Sequence, residues 1–461
     1  MFGLLLFWEV VRYFANGWIN AVYIAPKFHF TYLGWSWVQP LPGTGMYAVF
    51  AGIGFAALGV MVGFRYRISC TILWLLLSYV FLIERAVYLN HFYLVCLLSF
   101  LMIFVPAHRA FSVDSRRSPE LRSHSVPRWA LGLLQAQIAI PYIYGGIAKM
   151  QPDWLHGLPM QIWMQRMEHI REFIPAFGEE WLALVFSYGG LVFDLLVVPA
   201  LFWRRTRMAA FLVATLFHLT NATMFQIGIF PWLMICADTL FFPSDWPTRL
   251  RERFAKNKSA TDHQQKPKPA QSPVGFPPSR RVIVALSIWF AVQLLVPFRH
   301  FLYPGDVNWT EEGLEFSWRM MLNDKSAAMQ LTFLDPTTGR YGSLQPQAMM
   351  NQRQMDRMSQ IPALLEDYCV HITRELEAEG WRNLQIRAFV LCSLNGRKPQ
   401  LLVDPDANLA RTTRQWGHRE WIVPLVEPRQ DPPWLVPPSK WPETLDLESY
   451  RTNVRSQSKS R

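Results

Sequence analysis

The chain has few charged residues and few cysteines for its length. Only 17% of its 461 residues are Asp, Glu, Lys or Arg, against about 25% in an ordinary globular protein. The five cysteines are few and odd in number, which excludes a scaffold built on disulfide bonds. Aromatic residues, by contrast, make up 15% of the chain, and this excludes an intrinsically disordered protein, because such proteins are poor in aromatics.

The chain contains fewer acidic residues than basic residues. The chain has 34 Asp and Glu against 45 Lys and Arg, which gives a net charge of +11. In a soluble protein this excess would suggest a nucleic-acid partner. Here 51% of the residues are hydrophobic and many lie in long runs, so cationic loops of a membrane protein explain the charge better and no nucleic acid is expected. The apolar start contains Glu9 and Arg12, so no cleavable signal peptide is evident.

Apolar runs long enough to cross a bilayer dominate the first 298 residues. Several are near the lower limit of about 17 residues, so tilted or broken helices are expected. Residues 208–242 form either one long helix or a tight pair, and we predict the pair. The predicted spans lie at about 1–18 (the weakest), 47–64, 68–83, 91–107, 128–148, 181–203, 208–224, 226–242 and 282–298.

The distribution of Lys and Arg predicts the orientation of these spans. With nine spans, four basic loops fall on the same side of the membrane, and an excess of positive charge marks the cytoplasmic side. The other loops, and everything after residue 298, then lie outside the cytoplasm. The four basic loops are centred on 65–67, 109–128, 204–207 and 249–281.

The pattern of the remaining residues divides the chain into domains. Residues 1–298 form a transmembrane domain, in which the polar, Pro-rich and basic stretch 249–281 is a cytoplasmic linker. The pattern of residues 299–427 predicts a small extracytoplasmic α/β domain. Residues 428–461 are predicted to be a Pro-rich and basic tail. The fold class is therefore a polytopic α-helical membrane protein of about eight or nine spans, followed by a small α/β domain.

Alternating apolar residues and helical periodicity define the α/β domain in more detail. A single helical pattern covers residues 350–379. Asn395-Gly396 is a hairpin turn between two of the strands. The predicted strands are 329–334, 341–344, 384–394 and 401–403.

A few polar residues lie within or at the ends of the apolar runs, where ionisable groups usually mark a functional site. The predicted topology places them at one depth, on the side of the α/β domain. Each has a simpler explanation, because a Lys at a span end extends to the interface and a His or Asn can join helices by hydrogen bonds. The residues are Asn90, His91, Lys149, His218, Asn221 and His300.

Other polar residues of the spans point to structure rather than chemistry. Asp194 and Asp238 are expected to pair with cations or with the backbone. The histidines have no HxxxH or HxH spacing and no acidic neighbour in the sequence, so no metal site is predicted.

Several short motifs together resemble the vitamin K-dependent gamma-glutamyl carboxylase family, whose membrane part is an HTTM-like domain. The resemblance follows the order of the chain over about residues 1–427, and so covers both predicted domains. The matching motifs are Tyr66-Arg-Ile-Ser-Cys70, Leu89-Asn-His91, Phe111-Ser-Val-Asp114, Gly145-Gly-Ile-Ala-Lys149, Asp153-Trp154, Phe217-His-Leu-Thr-Asn221, Phe225-Gln-Ile-Gly-Ile-Phe230, Asn308-Trp-Thr310, Phe316-Ser-Trp-Arg-Met-Met321 and Asp404-Pro405.

The resemblance implies a reaction that uses reduced vitamin K of the phylloquinone or menaquinone type, O2 and CO2, without biotin or a metal. In this family an enzyme base deprotonates the hydroquinone, whose anion reacts with O2 to give a strong alkoxide base as it becomes the epoxide. That base removes the γ-proton of a peptide glutamate, and the carbanion attacks CO2. The implied partners are a Glu-containing peptide, a lipid quinone and membrane lipid.

The matching motifs imply roles for individual residues of this chain. Lys149 aligns with the base, which must be neutral, and its apolar neighbours and a Gly-Gly bend before it suit that role. His91 joins it as a catalytic residue. The quinone-binding residues implied are Asn90, His218, Asn221 and His300, and the glutamate-substrate segment contributes Trp318, Met320 and Met321.

The chain also departs from the best-known members of the family. They have Lys-Lys where this chain has Ala148-Lys149, and their extramembrane part is far longer. The short α/β domain favours a bacterial inner membrane as the location. Two alternatives stay open: a quinone epoxidase or oxidase without peptide carboxylation, and a non-catalytic quinone-binding protein.

Overall fold

A computed structural model describes residues 1–123, 126–167, 178–225, 227–243, 245–247, 249 and 279–446. Most of the predicted cytoplasmic linker, and residues 447–461 of the predicted tail, lie outside the described residues. The described part contains a large helical domain followed by a C-terminal domain built on one sheet.

Five of the described helices are long and apolar enough to cross a membrane by length and composition. Two shorter apolar helices, Asn90–Phe104 and Phe230–Phe241, lie among them. The first helix, Phe2–Ala15, has 14 residues and is only about 21 Å long, less than the roughly 30 Å of a hydrocarbon core. The predicted count of eight or nine spans is therefore not confirmed. The five long helices are Gly45–Val62, Tyr66–Ile83, Arg128–Lys149, Glu180–Phe202 and Arg280–Leu302.

The pair of helices predicted within 208–242 is confirmed. One helix covers Arg207–Met224 and the next begins at Phe230. The chain reverses between them where Gly228 has a φ of 60°, a conformation that glycine adopts without steric cost. Pro231 occupies the first turn of the second helix, where its missing N–H leaves no hydrogen bond unmade.

The Gly-Gly bend predicted before Lys149 is not observed, because the Arg128–Lys149 helix is continuous through both glycines. The glycines instead allow close packing of the neighbouring Glu179–Phe202 helix. A Cβ atom on Gly146 would lie 2.7 Å from the Leu195 Cδ2 atom, which is too close for a real contact. Small residues let helix backbones approach in this way, and the approach fixes where the side chains at the helix end can reach.

The C-terminal domain contains a four-stranded antiparallel sheet in the order β2-β1-β3-β4. Each of the four strands overlaps a predicted one, although β1 begins four residues before the predicted strand and β4 shares only Leu401 with it. The turn between β3 and β4 has φ angles of 50° at Asn395 and 70° at Gly396, as a tight hairpin of this sequence requires. The strands are β1 Lys325–Leu334, β2 Tyr341–Ser343, β3 Gln385–Leu394 and β4 Gln400–Leu401.

The single helix predicted for residues 350–379 is wrong, since two helices are observed. They cover Gln352–Gln360 and Pro362–Ala378. The break lies at Ile361, whose backbone is extended, with φ of −117° and ψ of 105°. A proline disfavours the helical conformation of the residue before it, so Pro362 ends one helix and begins the next.

Residues 428–446 of the predicted tail pack against the sheet. The side chain of Trp441 is 1% exposed and forms a small apolar cluster with Leu391 and Leu401. The backbone N–H of Trp434 donates to the carbonyl of Gly396 at 2.7 Å. The folded part of the C-terminal domain thus continues at least to the last described residue.

A buried ion pair joins the two domains. Asp153, which follows the Arg128–Lys149 helix, accepts two hydrogen bonds from the guanidinium of Arg397, at 2.6 and 2.8 Å. The amide of Asn395 donates to the same carboxylate at 2.8 Å. This contact holds the β3–β4 hairpin against the membrane domain, close to the chain segment that carries Lys149.

Candidate functional site

Lys149 forms an ion pair with Asp194 of the neighbouring helix. The two side chains are 9% and 8% exposed, so the pair is shielded from water. The ammonium nitrogen also lies 5.3 Å from the ring centroid of Trp154, within the range of a cation–π interaction. Trp154 is held by a hydrogen bond from its indole nitrogen to the carbonyl of Ser187 at 2.8 Å. The predicted pairing of Asp194 with a cation is confirmed, and its partner is the proposed base.

A second polar group lies on the same helix as Lys149. The hydroxyl of Tyr142 is 2.7 Å from Nε2 of His218 and donates to Asp238 at 3.1 Å. The other ring nitrogen of His218, Nδ1, is buried and has no partner among the described residues. Asp238 thus pairs with a tyrosine hydroxyl rather than with a cation or the backbone. The unpaired nitrogen leaves a polar atom available to a ligand.

Aromatic rings surround this second group. The ring of Phe230 lies 5.6 Å from that of His91 and 6.1 Å from that of His218, so the structure brings these two predicted site residues to the same ring. Phe193 lies 5.8 Å from Tyr142 and stacks on Phe217 at 3.9 Å. The result is an apolar wall with polar atoms at its edge, the usual composition of a small-molecule site.

The two polar groups share one face of the Arg128–Lys149 helix. Tyr142, Gly145 and Lys149 are spaced by three and four residues, which places them above one another on a helix. Seven residues separate the two ends, so they are roughly 10 Å apart along the helix axis. The candidate site is therefore a strip along this face, with the His218 group at one end and the Lys149 pair at the other.

The segment from Phe316 to Met321 is hydrogen-bonded to the start of the Asn90–Phe104 helix. The amide nitrogen of Asn90 donates to the carbonyl of Arg319 at 3.3 Å, and its amide oxygen accepts from Tyr88 at 2.9 Å. Three residues of the segment have positive φ angles, 60° at Phe316, 58° at Trp318 and 50° at Met321. Such conformations are unfavourable for large side chains and cluster at functional sites.

The other end of the same segment reaches the Lys149 pair. The methyl group of Met320 is 3.8 Å from the position that a Cβ atom on Gly145 would take, and Asp194 Oδ2 is 3.1 Å from that position. Trp318 is 1% exposed, whereas Met321 is 41% exposed. The structure thus brings Met320 of the predicted substrate segment close to the Lys149 pair. Trp318 is buried with its ring 5.1 Å from that of Tyr93, and Met321 stays at the surface.

His300 and Asn221 are the remaining predicted quinone-binding residues. Nδ1 of His300 lies 2.8 Å from the carbonyl oxygen of Pro297, and its ring is 4.2 Å from that of Phe301. Asn221 is half-buried, and within the described ranges its side chain makes no hydrogen bond. Neither residue is joined to Lys149 or His218 by a described contact, so their quinone-binding roles stay predictions.

Sequence reasoning missed Tyr142 and Arg319, which both have polar contacts at the site. Tyr142 lies two helical turns before Lys149 on the same face, and this spacing is a signal that could have found it. Arg319 stands between Trp318 and Met320 in the predicted substrate segment. For metal ligands, no group of three or more His, Cys, Asp or Glu side chains is close enough to hold an ion in the part of the chain that the structure describes.

Comparison with known protein families covers both domains. Residues 1–246 match the model of the HTTM domain. Residues 278–428 match the model of the vitamin K-dependent gamma-carboxylase, lumenal domain. The two matches follow each other along the chain without overlap. No solved structure matches the chain.

Proposed function

The chain belongs to the vitamin K-dependent gamma-carboxylase family, and we propose that it converts peptide glutamate to gamma-carboxyglutamate while reduced vitamin K is oxidised by O2 to the epoxide. The observation that carries the proposal is the buried pair of Lys149 and Asp194 at the end of an apolar helix. CO2 is the second substrate, and neither biotin nor a metal takes part. The enzyme is thus a carbon–carbon lyase of the carboxylase type with epoxidase activity.

Lys149 is the initiating base. A base must hold a free electron pair, so the proposal requires the amine of Lys149 to be neutral when the hydroquinone binds. Asp194 is hydrogen-bonded to the Lys149 ammonium, so one proton can move from the amine to the carboxylate without leaving the pair. A buried ion pair that neutralises itself in this way avoids much of the cost of two separated charges in an apolar site. The neutral amine then accepts the proton of the hydroquinone at Nζ.

The aromatic wall has the chemical character that a quinone ring would need at its binding site. Phe230 offers a flat apolar face between His91 and His218, and the buried Nδ1 of His218 has no partner in the described part of the chain. Asn90 and His91 are proposed to bind the ring oxygens, with His91 assisting proton movement. When bound and oxidised, vitamin K supplies the strong base that removes the γ-proton of glutamate. The enclosing aromatic residues exclude water, which would quench that base.

The proposed orientation rests on the distribution of Lys and Arg among the loops. The C-terminal domain lies outside the cytoplasm of a bacterial inner membrane, so that the peptide approaches from that side. The lipid quinone enters sideways from the bilayer. Asp153 and Arg397 hold the two domains together. Gln151, two residues after Lys149, is hydrogen-bonded to Arg319 and to the carbonyl of Leu322.

A coupled assay tests the function. Purified protein in detergent is given reduced vitamin K, O2, ¹⁴C-bicarbonate and a short Glu-containing peptide, and epoxide and fixed label are scored together for wild type and Lys149→Ala. Epoxide and labelled peptide that both depend on Lys149 are expected. Epoxide without label would instead indicate a quinone epoxidase. Neither product from folded protein would reject catalysis and leave a quinone-binding role.

A further inference from the structure

Arg319 brings a partly buried positive charge to the candidate site, and among the described residues it has no ion-pair partner. One of its terminal nitrogens donates to the side-chain oxygens of Gln151 at 3.0 Å and Asn308 at 3.2 Å, and both of these groups are neutral. Its Nε atom is buried and has no hydrogen-bond partner among the described residues. Over the same residues, no carboxylate oxygen lies within 4.0 Å of its guanidinium nitrogens.

The two arginines that are fully buried in the described part of the chain are both paired with acids. Arg397 binds Asp153 at 2.6 Å, Arg419 binds Glu366 at 2.8 Å, and both side chains are 9% exposed. Burial lowers the pKa of Arg319, and the charge of Asp306 opposes this only in part. Because a guanidinium does not lose its proton in a protein, the charge remains, and a buried charge without a counter-ion is unfavourable. A negatively charged ligand at this position would compensate the charge of Arg319.

The position of Arg319 relates this charge to the proposed chemistry. Its carbonyl accepts from Asn90, and its side chain contacts Gln151, two residues after Lys149. The next residue, Met320, lies beside Gly145 and therefore close to Asp194. An anion held by Arg319 would thus lie at the end of the helix that carries the proposed base.

We propose that Arg319 binds the side-chain carboxylate of the substrate glutamate and so selects glutamate for the reaction. This inference rests on the proposed function for its choice of substrate. A guanidinium matches a carboxylate in shape and charge and can donate two parallel hydrogen bonds to it. Holding the carboxylate fixes the adjacent γ-carbon, the atom that must lose a proton and form the new carbon–carbon bond.

Peptide binding tests this role without requiring turnover. A fluorescent peptide with one Glu is compared with the same peptide carrying Gln, and anisotropy is measured with the full chain in detergent. We expect wild type to bind the Glu peptide at least tenfold more tightly, because only the Glu carboxylate can form charge-assisted hydrogen bonds with the guanidinium. Arg319→Gln should bind both peptides equally. Arg166→Gln, which removes a 56% exposed guanidinium nearby, should keep the preference for Glu.

The outcomes separate this inference from the proposed function. A Glu preference that Arg319→Gln removes supports the role even if wild type fixes no CO2. A Glu preference that survives in Arg319→Gln overturns the role, even if wild type is an active carboxylase. A higher KM for the hydroquinone with unchanged peptide affinity would also overturn it, because the anion would then belong to the quinone.

A second variant covers the case in which Arg319→Gln does not fold. Arg319→Lys keeps the charge but loses the planar fork of donors. We expect it to bind the Glu peptide at least threefold more weakly than wild type does, with no change for the Gln peptide. Unchanged affinity for both peptides would overturn the proposal.

Discussion

Asp194 and Lys149 lie 45 residues apart in the chain and form an ion pair between two neighbouring apolar helices. Both side chains are at least nine-tenths buried, so each charge depends on the other for its stability in a dry environment. The same carboxylate lies beside Gly145 and close to Met320. The pair thus lies at the end of the helix that carries the proposed base and close to the segment that carries the proposed substrate site.

The pair predicts a non-additive effect on stability. Lys149→Ala and Asp194→Ala should each destabilise the protein by about 3–5 kcal/mol, because each leaves one buried charge unpaired. The double variant should be less destabilised than the sum of the two, since neither charge remains. Unfolding in detergent, followed by tryptophan fluorescence, measures all four proteins. Additive losses would show that the two charges are not coupled.

Lys149→Ala should abolish epoxide formation. If the missing group is only a base, part of the activity should return at high pH or with small primary amines, because hydroxide or a free amine can then take the proton. The assay is epoxide production against pH and against amine concentration. Full activity in the unsupplemented variant would remove Lys149 from the mechanism.

Tyr142→Phe should weaken quinone binding. The change removes the hydroxyl that contacts His218 at 2.7 Å and Asp238 at 3.1 Å. A lost hydrogen bond in a buried network costs about 1–3 kcal/mol, so the KM for the hydroquinone should rise by roughly tenfold or more.

Tyr144→Phe is the matched control, since the Tyr144 hydroxyl is also buried on this helix but donates to the carbonyl of Leu294. Its KM for the hydroquinone should stay near the wild-type value. Equal KM changes in the two variants would assign the effect to helix packing rather than to the His218 group.

The contact between the domains predicts a dependence of stability on pH. Burial alone would raise the pKa of Asp153, but hydrogen bonds from Arg397 and Asn395 outweigh burial and lower it. Because the folded-state pKa lies below the unfolded value of about 3.9, this stabilisation is complete at neutral pH. It is lost as the pH falls below about 4 and through the folded-state pKa.

Asp153→Asn should therefore be less stable than wild type at pH 7, and the difference in melting temperature should shrink towards pH 3. Asp406→Asn is the control, because the Asp406 side chain is 47% exposed. That variant should melt close to wild type throughout this range. A difference for Asp153→Asn that stays constant down to pH 3 would contradict the lowered pKa.

The predicted orientation can be tested by labelling introduced cysteines in intact and permeabilised cells. Arg116 is exposed in a basic loop, and the Tyr341 side chain is exposed in the C-terminal domain. A membrane-impermeant maleimide should label Tyr341→Cys in intact cells and Arg116→Cys only after permeabilisation. Labelling of both positions under the same condition would reject the orientation.

Local features of the sequence determined much of the fold. Apolar runs marked the long helices, and alternation with an Asn395-Gly396 turn marked the β3–β4 hairpin. Pro362 was also readable as a helix boundary, although the periodicity around it concealed the break. These features succeed because helical and strand periods, glycine and proline act within a few residues of chain.

Only the tertiary structure decided how the candidate site is assembled. The sequence pointed to Lys149 and His218, yet their partners, Asp194 and Tyr142, stand 45 and 76 residues away. Nothing in the sequence identified Arg319 as a charge without an ion-pair partner, because ion pairing depends on which acidic side chains lie within about 4 Å of the guanidinium after folding. The sequence of a helix shows which of its residues share a face. It does not show how far two helices are rotated and shifted against each other when they pack, and that rotation and shift decide which polar side chains meet in the apolar interior.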